Sequence, residues 1–107
     1  MRKDRILIEK SQIPYRFTIS LNAVTFLLEI RYNEEVDLFT IGLFDKDSNL
    51  LCIEPIIYGA ELFKQHYKAG VYPAMRIVPT DESGENSTVT WDNMNETVFL
   101  VIENGGE

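Results

Sequence analysis

Three polar side chains at alternate positions form the most metal-like pattern in this sequence. Asp45, Asp47 and Asn49 match the opening of a calcium-binding loop, whose carboxylate and amide oxygens suit a hard cation. Such a loop also needs glycine at its sixth position and glutamate at its twelfth, and these positions hold Leu50 and Ile56. An Asx-type turn explains the same residues, so the sequence predicts a turn and no metal site here.

Other reactive residue types are few and scattered. His66 is the single histidine, and no second metal ligand stands near it at helical spacing. Cys52 is the single cysteine and lies among apolar residues, which favours an inert buried thiol and leaves no intrachain disulfide. A small enzyme that uses carboxylate chemistry at Glu54 and Glu61 is one alternative function. The sequence predicts no catalytic residue, no cofactor and no bound metal.

Trp91 is followed by Asp92 and Asn93, which places hydrogen-bonding groups beside an aromatic face. This combination suits a small-molecule or carbohydrate ligand, so a ligand-binding β module is the alternative function. A core or turn-packing role also explains the tryptophan. Trp91 is in addition a candidate interface residue.

Composition narrows the classes of partner. The chain has 107 residues, 45% of them hydrophobic, and is predicted to form one domain over residues 1–107. Its formal net charge of −7 repels phosphate backbones and anionic lipids, so neither nucleic acid nor membrane is an expected partner. The N-terminus lacks the apolar run of a signal peptide, and no segment approaches the roughly 18 apolar residues of a membrane span. Synthesis in a cytosol is therefore expected.

Alternation of apolar and polar residues predicts strands along most of the chain. Residues 17–21 alternate, and after Asn22-Ala23 the alternation resumes over 24–32. Two residues between two alternating runs predict a tight hairpin, whose turn needs positive φ. A third run at 39–43 extends this into an antiparallel meander. The predicted fold class is mainly β, a small antiparallel barrel or sandwich with one short packed helix.

The helix is predicted near residues 59–68. Aromatic and apolar side chains recur there at helical spacing, after Gly59 and before Gly70. Pro55 precedes this segment and should end the strand before it, because proline lacks a backbone donor. The residues on the predicted helical face are Leu62, Phe63, His66 and Tyr67.

The closing strand is apolar on both faces. Val98, Leu100 and Ile102 face one way and suffice to cover a core, whereas Phe99 and Val101 face the other way. A chain with one short helix has little material left to cover that second face. Phe99 and Val101 are therefore predicted to contact a partner or a second copy.

Three segments together resemble a known family. The segments 43–47 (LFDKD), 54–67 (EPIIYGAELFKQHY) and 90–94 (TWDNM) resemble the small baseplate plug proteins of contractile-tailed bacteriophages. The likeness runs from the strand at Phe17 to Ile102. The sequence departs from the family pattern at its turns and in one strand: Asn22-Ala23 and Ser48-Asn49 replace glycine-containing turns, and Leu38-Phe39 lacks an expected tryptophan.

This resemblance implies a structural subunit of the central baseplate or hub region of a phage tail or prophage-derived particle. The resemblance also implies that the protein has no enzymatic activity. The expected partners are other tail and baseplate proteins, and the chain is expected to be a homo-oligomer in the assembled particle. The expected location is the virion tail or baseplate, after synthesis in the cytoplasm of the bacterial host.

Overall fold

Strands make up most of the structure. The computed structural model of the protein describes residues 4–21, 23–63 and 76–103. No helix in these ranges is long and apolar enough to cross a membrane. The prediction of one domain over residues 1–107 stays a prediction. The regular elements of the described ranges are β1 (Asp4–Ile6), a 3-10 helix (Lys10–Gln12), β2 (Tyr15–Leu21), β3 (Val24–Asn33), β4 (Leu38–Asp45), β5 (Leu50–Pro55), β6 (Arg76–Thr80) and β7 (Phe99–Glu103).

The strands form two antiparallel sheets. Strands β2, β3, β4 and β5 pair in chain order and form a four-stranded sheet, which we call the long sheet. Strand β7 lies between β1 and β6 in a three-stranded sheet, which we call the short sheet. The long sheet contains the meander that the alternation predicts. One row of cross-strand partners on it consists of Phe17, Leu28, Leu43 and Cys52.

Alternate side chains of both sheets meet in one buried cluster. In β3, Leu28 and Ile30 are fully buried, while Glu29 between them projects from the opposite face. Ile77 and Leu100 of the short sheet enter the same cluster. Burial of each such aliphatic side chain contributes roughly 1.5–3 kcal/mol to folding. Two sheets with a shared core form a sandwich, so the predicted mainly β, antiparallel fold is confirmed.

The connection between β2 and β3 is a two-residue turn, as predicted. Leu21 pairs with Val24, which leaves only positions 22 and 23 to join the strands. Ala23 has a φ of +65°, in the left-handed region that two-residue hairpins require and that a Cβ makes unfavourable. Asn22 lies outside the described residues.

The predicted helix near residues 59–68 is wrong over its described part. Residues 59–63 form turns, and Phe63 has a φ of +63°, which a right-handed helix does not contain. The backbone N–H of Leu62 donates to the Ile77 carbonyl at 2.8 Å, and that of Phe63 donates to Glu54 Oε1 at 2.8 Å. These hydrogen bonds to other parts of the fold replace helical ones. The rest of the predicted helix lies outside the described residues.

The same segment joins one edge of the long sheet to one edge of the short sheet. Pro55 ends β5, as predicted, and the next residue, Ile56, donates to the Phe39 carbonyl at 2.9 Å. Three residues later Gly59 donates to the Pro79 carbonyl at 2.8 Å. The chain thus changes sheets without leaving these backbone donors unpaired, which is the requirement for backbone near a core.

A buried carboxylate holds the loop after β6. Asp81 is 6% exposed. Its Oδ1 accepts hydrogen bonds from Ser83 N at 2.8 Å and from Ser83 Oγ at 2.6 Å. Its Oδ2 accepts hydrogen bonds from Asn86 N at 3.0 Å and from Asn86 Nδ2 at 2.8 Å. Asn86 Nδ2 also donates to Thr97 Oγ1 at 3.1 Å, which ties the loop to the approach to β7. These hydrogen bonds, with that of the Ser83 hydroxyl the largest effect, lower the pKa of Asp81 to about 2.

The strained turn predicts a stabilising substitution. Ala23→Gly should raise the free energy of unfolding by about 0.5–1 kcal/mol, because glycine adopts positive φ without a Cβ clash. Chemical denaturation measures the change. Ala60→Gly is the control, since Ala60 does not have positive φ and glycine there only adds freedom to the unfolded chain. A lower stability for Ala23→Gly would contradict the turn assignment.

The Asp81 loop predicts a specific acid sensitivity. Asp81→Asn should lower the melting temperature at pH 7, because an amide group then faces the donors of Ser83 and Asn86. The pKa of Asp81 is lower in the folded state than its usual 3.8, so its contribution is present above that pH and is lost as pH falls through about 2. The difference between wild type and variant should therefore shrink below about pH 4. A difference that stays constant down to pH 2 would refute this role, and exposed Asp92→Asn provides the control.

Candidate functional site

Strand β7 has two different faces, as the alternation predicts. Val98, just before the strand, and Leu100 are fully buried in the shared core. Phe99 and Val101 project from the opposite face of the short sheet. The two candidate interface residues of this strand therefore share one face, which points away from the core.

Val101 is closely packed within its own chain. It pairs with Arg5 of β1 on one side and with Val78 of β6 on the other. Only 2% of Val101 and 6% of Val78 are exposed. The Val101 side chain is therefore on the outer face of the short sheet but is not exposed to solvent.

Phe99 is partly exposed and lies under an arginine. The Arg5 guanidinium carbon is 4.1 Å from the centre of the Phe99 ring, a cation–π geometry. Arg5 Nη2 also lies 2.6 Å from Glu82 Oε1, and this ion pair is partly exposed. Arg5 Nε is buried without a hydrogen-bond acceptor within the described part of the chain. Phe99, Arg5 and Glu82 thus form a patch that combines an aromatic ring with an ion pair.

Trp91 packs against the edge of the shared core. Its ring is parallel to that of buried Phe39, with centroids 5.9 Å apart and planes at 3°. The Tyr32 ring lies 4.7 Å away at 50°. Lys10 Nζ donates to the Trp91 carbonyl at 2.6 Å and lies 5.4 Å from the centre of its ring. These contacts give Trp91 a turn-packing role and leave it half-buried.

Asp37 connects the Trp91 ring cluster to the turn between β3 and β4. Its Oδ1 accepts from the Tyr32 hydroxyl at 2.7 Å and from Trp91 N at 2.8 Å. The hydrogen bond to this carboxylate, followed by burial, raises the pKa of Tyr32 to about 12. Sequence reasoning missed Asp37 and Lys10 as neighbours of Trp91, because they are distant along the chain. Strand alternation does place Tyr32 on the inner face of β3, which is the only signal available.

Two shallow depressions flank Trp91. One has a volume of about 490 Å³ and an acidic lining, and the other has about 300 Å³ and includes apolar residues and an arginine. Tyr32, Glu34 and Trp91 contribute to both. The first is completed by Asp37 and Asp92, and the second by Ile13, Pro14 and Arg31.

The ligand-binding alternative gains no support from the neighbours of Trp91. Asn93 Oδ1 accepts from Thr90 N at 2.9 Å, and its Nδ2 donates to the Thr88 carbonyl at 3.0 Å. The polar atoms of Asn93 are thus used within the turn, and Asp92 is exposed beside it. The Trp91, Asp92 and Asn93 segment is accounted for as a hydrogen-bonded turn.

The residues singled out for enzyme chemistry have structural roles. Cys52 is 8% exposed, and burial, with a smaller effect of the Glu54 charge, raises the pKa of its thiol to about 11. The thiol is buried, as predicted, and its raised pKa disfavours the reactive thiolate. Glu54 accepts a backbone hydrogen bond from the turn at 59–63, whereas Glu61 Oε1 lies 3.2 Å from Arg76 Nε. The two carboxylates therefore hold different parts of the chain.

The acidic connection between β4 and β5 is an Asx-type turn, as predicted. Asp45 Oδ1 accepts from the backbone N–H groups of Asp47 and Asn49, each at 2.9 Å, and its Oδ2 accepts from Asn49 Nδ2 at 3.0 Å. The hydrogen bonds from Asn49 hold the pKa of Asp45 below its usual value. Within the described ranges, no three His, Cys, Asp or Glu residues are grouped to hold a metal ion. His66 lies outside those ranges.

Calcium is expected to leave the stability of the protein unchanged. Both oxygens of Asp45 already accept hydrogen bonds from the turn, and the loop lacks the glycine and the bidentate glutamate of a calcium site. Thermal unfolding with millimolar CaCl₂ should match unfolding with EDTA. A shift of many degrees would contradict the assignment, since a ligand of the folded state raises the melting temperature.

The family comparison agrees with the resemblance found in the sequence. The family described as "Cyanophage baseplate Pam3 plug gp18" matches residues 4–105, which include both sheets and the turn that carries Trp91. A search of the curated proteins and a search of the solved structures each find no match. The match covers nearly the whole chain. The chain therefore belongs to the cyanophage baseplate Pam3 plug gp18 family, a family of phage baseplate plug proteins.

Proposed function

We propose that the protein is a non-enzymatic structural subunit of the central hub or plug region of a phage or prophage tail baseplate. The observation that carries this proposal is the family match over residues 4–105. The protein would act through interfaces with other baseplate proteins, in several copies per particle. It would be made in the cytoplasm of the bacterial host and incorporated into the tail.

The use of the polar side chains supports a structural role. The carboxylates of Asp45, Asp81 and Glu54 accept backbone hydrogen bonds that shape turns. Carboxylates used in this way are engaged acceptors, whereas an acid–base catalyst needs an oxygen that reaches substrate. The acidic composition of the chain thus serves loop structure, and its net charge of −7 favours partners with basic surfaces.

The proposed interface centres on Phe99 and extends over the outer face of the short sheet. Phe99 offers a partly exposed ring, and the Arg5–Glu82 pair beside it is partly exposed to solvent. Partly exposed ion pairs contribute only about 0–1 kcal/mol, so a partner can displace Arg5 from the ring at small cost. Val101 projects from the same face but is buried within the chain, and Trp91, with its flanking depressions, provides a second contact region.

The two faces of β7 provide the test. Phe99→Glu should leave a folded domain that no longer co-purifies with co-expressed baseplate proteins. Leu100→Glu should unfold the protein, because an unpaired charge in the core costs several kcal/mol against a total stability of roughly 5–15 kcal/mol. Circular dichroism reports folding, and affinity co-purification reports assembly.

A surface control separates a specific interface from a general effect of added charge. Ile53 is 61% exposed on the long sheet, so Ile53→Glu should fold and co-purify like wild type. Normal co-purification of Phe99→Glu would show that this face is not the interface. Unfolding of Phe99→Glu as complete as that of Leu100→Glu would show that the strand is internal on both faces.

A further inference from the structure

The outer edge of the long sheet at β2 has no partner strand in the described structure. Strand β2 is seven residues long and pairs only with β3, and no other strand of the described ranges lies on its far side. An unpaired edge of this length is a template for addition of another strand. Neither proline nor lysine, which commonly protect sheet edges, occurs within 15–21.

The hairpin geometry identifies the backbone groups that point outward. Leu21 and Val24 flank a two-residue turn, so they form a hydrogen-bonded pair, and alternate residues back along β2 bond to β3 in the same way. The residues between them, Arg16, Thr18 and Ser20, therefore direct their N–H and C=O groups to the open edge. Within the described chain, no hydrogen-bond partner reaches these backbone groups.

The core-facing side chains of β2 are incompletely covered. Tyr15, Phe17 and Ile19 pack against the shared core but remain only half-buried. The Tyr15 and Phe17 rings stack 5.2 Å apart along this edge. A strand added to β2 would bring further apolar side chains against them.

We infer that β2 is the pairing edge for β2 of a second copy of this chain, in antiparallel orientation. Thr18 then lies on the two-fold axis opposite Thr18 of the second copy, and Arg16 lies opposite Ser20. Each facing pair of this kind exchanges two backbone hydrogen bonds. The two long sheets join into one continuous sheet of eight strands, four from each copy.

Side-chain chemistry favours this register. It places Phe17 opposite Ile19 of the second copy in a non-hydrogen-bonded pair, where side chains approach most closely, and on the half-covered apolar face. No like charges face one another. A pairing centred on Arg16 would instead place two arginines in direct opposition and use Pro14, which has no N–H to donate.

The side chain of Arg16 does not block the edge. Its Nη2 lies 3.3 Å from Glu29 Oε1, and its guanidinium carbon is 4.0 Å from the centre of the Phe44 ring. Both contacts hold the arginine over the outer face of its own sheet. The backbone of Arg16 is therefore left accessible to an approaching strand.

This inference rests on the proposed function only in supposing several copies per particle. It concerns association of the purified chain, so its failure would leave baseplate incorporation untouched. Baseplate incorporation is tested separately by the co-purification of the Phe99 variant.

The first test compares two substitutions of Thr18 by sedimentation velocity at about 150 mM salt, where charges of −7 per copy are largely screened beyond about 8 Å. Wild type should show a concentration-dependent monomer–dimer equilibrium. Thr18→Pro removes an outward donor without loss of a bond to β3 and should weaken dimerisation at least about tenfold. Thr18→Ala keeps the N–H and should dimerise like wild type. A wild type that stays monomeric at several hundred micromolar overturns the inference.

The second test fixes the register and does not depend on the proline variant folding. Thr18→Cys should form a disulfide-linked dimer under mild oxidation, because facing Cα atoms of a hydrogen-bonded pair are about 5.5 Å apart, within disulfide range. Ser20→Cys should not, since the two Ser20 positions would be separated by roughly 13 Å along the strands. The buried Cys52 should leave wild type uncross-linked. Equal cross-linking of both variants, or cross-linking of neither, would refute this pairing. Pairing of β2 only with a co-expressed baseplate protein would also refute it.

Discussion

Burial of alternate side chains between the two sheets is the interaction on which the remaining features depend. Because the side-chain period of a strand is two, burial of Leu100 places Phe99 on the outer face, and burial of Leu28 places Glu29 there. A slip of one residue would exchange the faces and put the charge of Glu29 into the core. The candidate interface of β7 and the outward-facing Arg16 of β2 thus follow from the same constraint.

Carboxylates and amides organise the connections between these strands. Asp81 gathers the donors of the loop after β6, Asp45 closes the β4–β5 turn, and Asp37 joins the β3–β4 turn to Trp91. Each satisfies backbone N–H groups that strands would otherwise pair, which lets long connections pack closely against the core. These three aspartates shape loops, which is consistent with a family of baseplate structural proteins.

The sheet edges are treated unequally. At the β6 side of the short sheet, the backbone N–H groups of Gly59 and Leu62 donate to the carbonyls of Pro79 and Ile77. At the β2 side, no described element provides such cover. Within the described residues, the molecule thus has an outer sheet face around Phe99 and an unpaired edge at β2. Separate surfaces of this kind suit a subunit with more than one neighbour in an assembly.

The sequence predicted the strands of the meander, the two faces of the closing strand and the tight β2–β3 turn, because these depend on local periodicity and on the conformational demands of a two-residue connection. It also indicated the Asx-type turn at Asp45 and the buried Cys52, and the motifs around Pro55 and Trp91 indicated the family. The folded structure was needed to show what replaces helix at 59–63, since the backbone N–H groups of Leu62 and Phe63 donate to Ile77 and Glu54. It also decided that Arg5 covers Phe99 and that Asp37 and Lys10 hold Trp91, because those contacts join residues far apart in the chain and no local pattern encodes them.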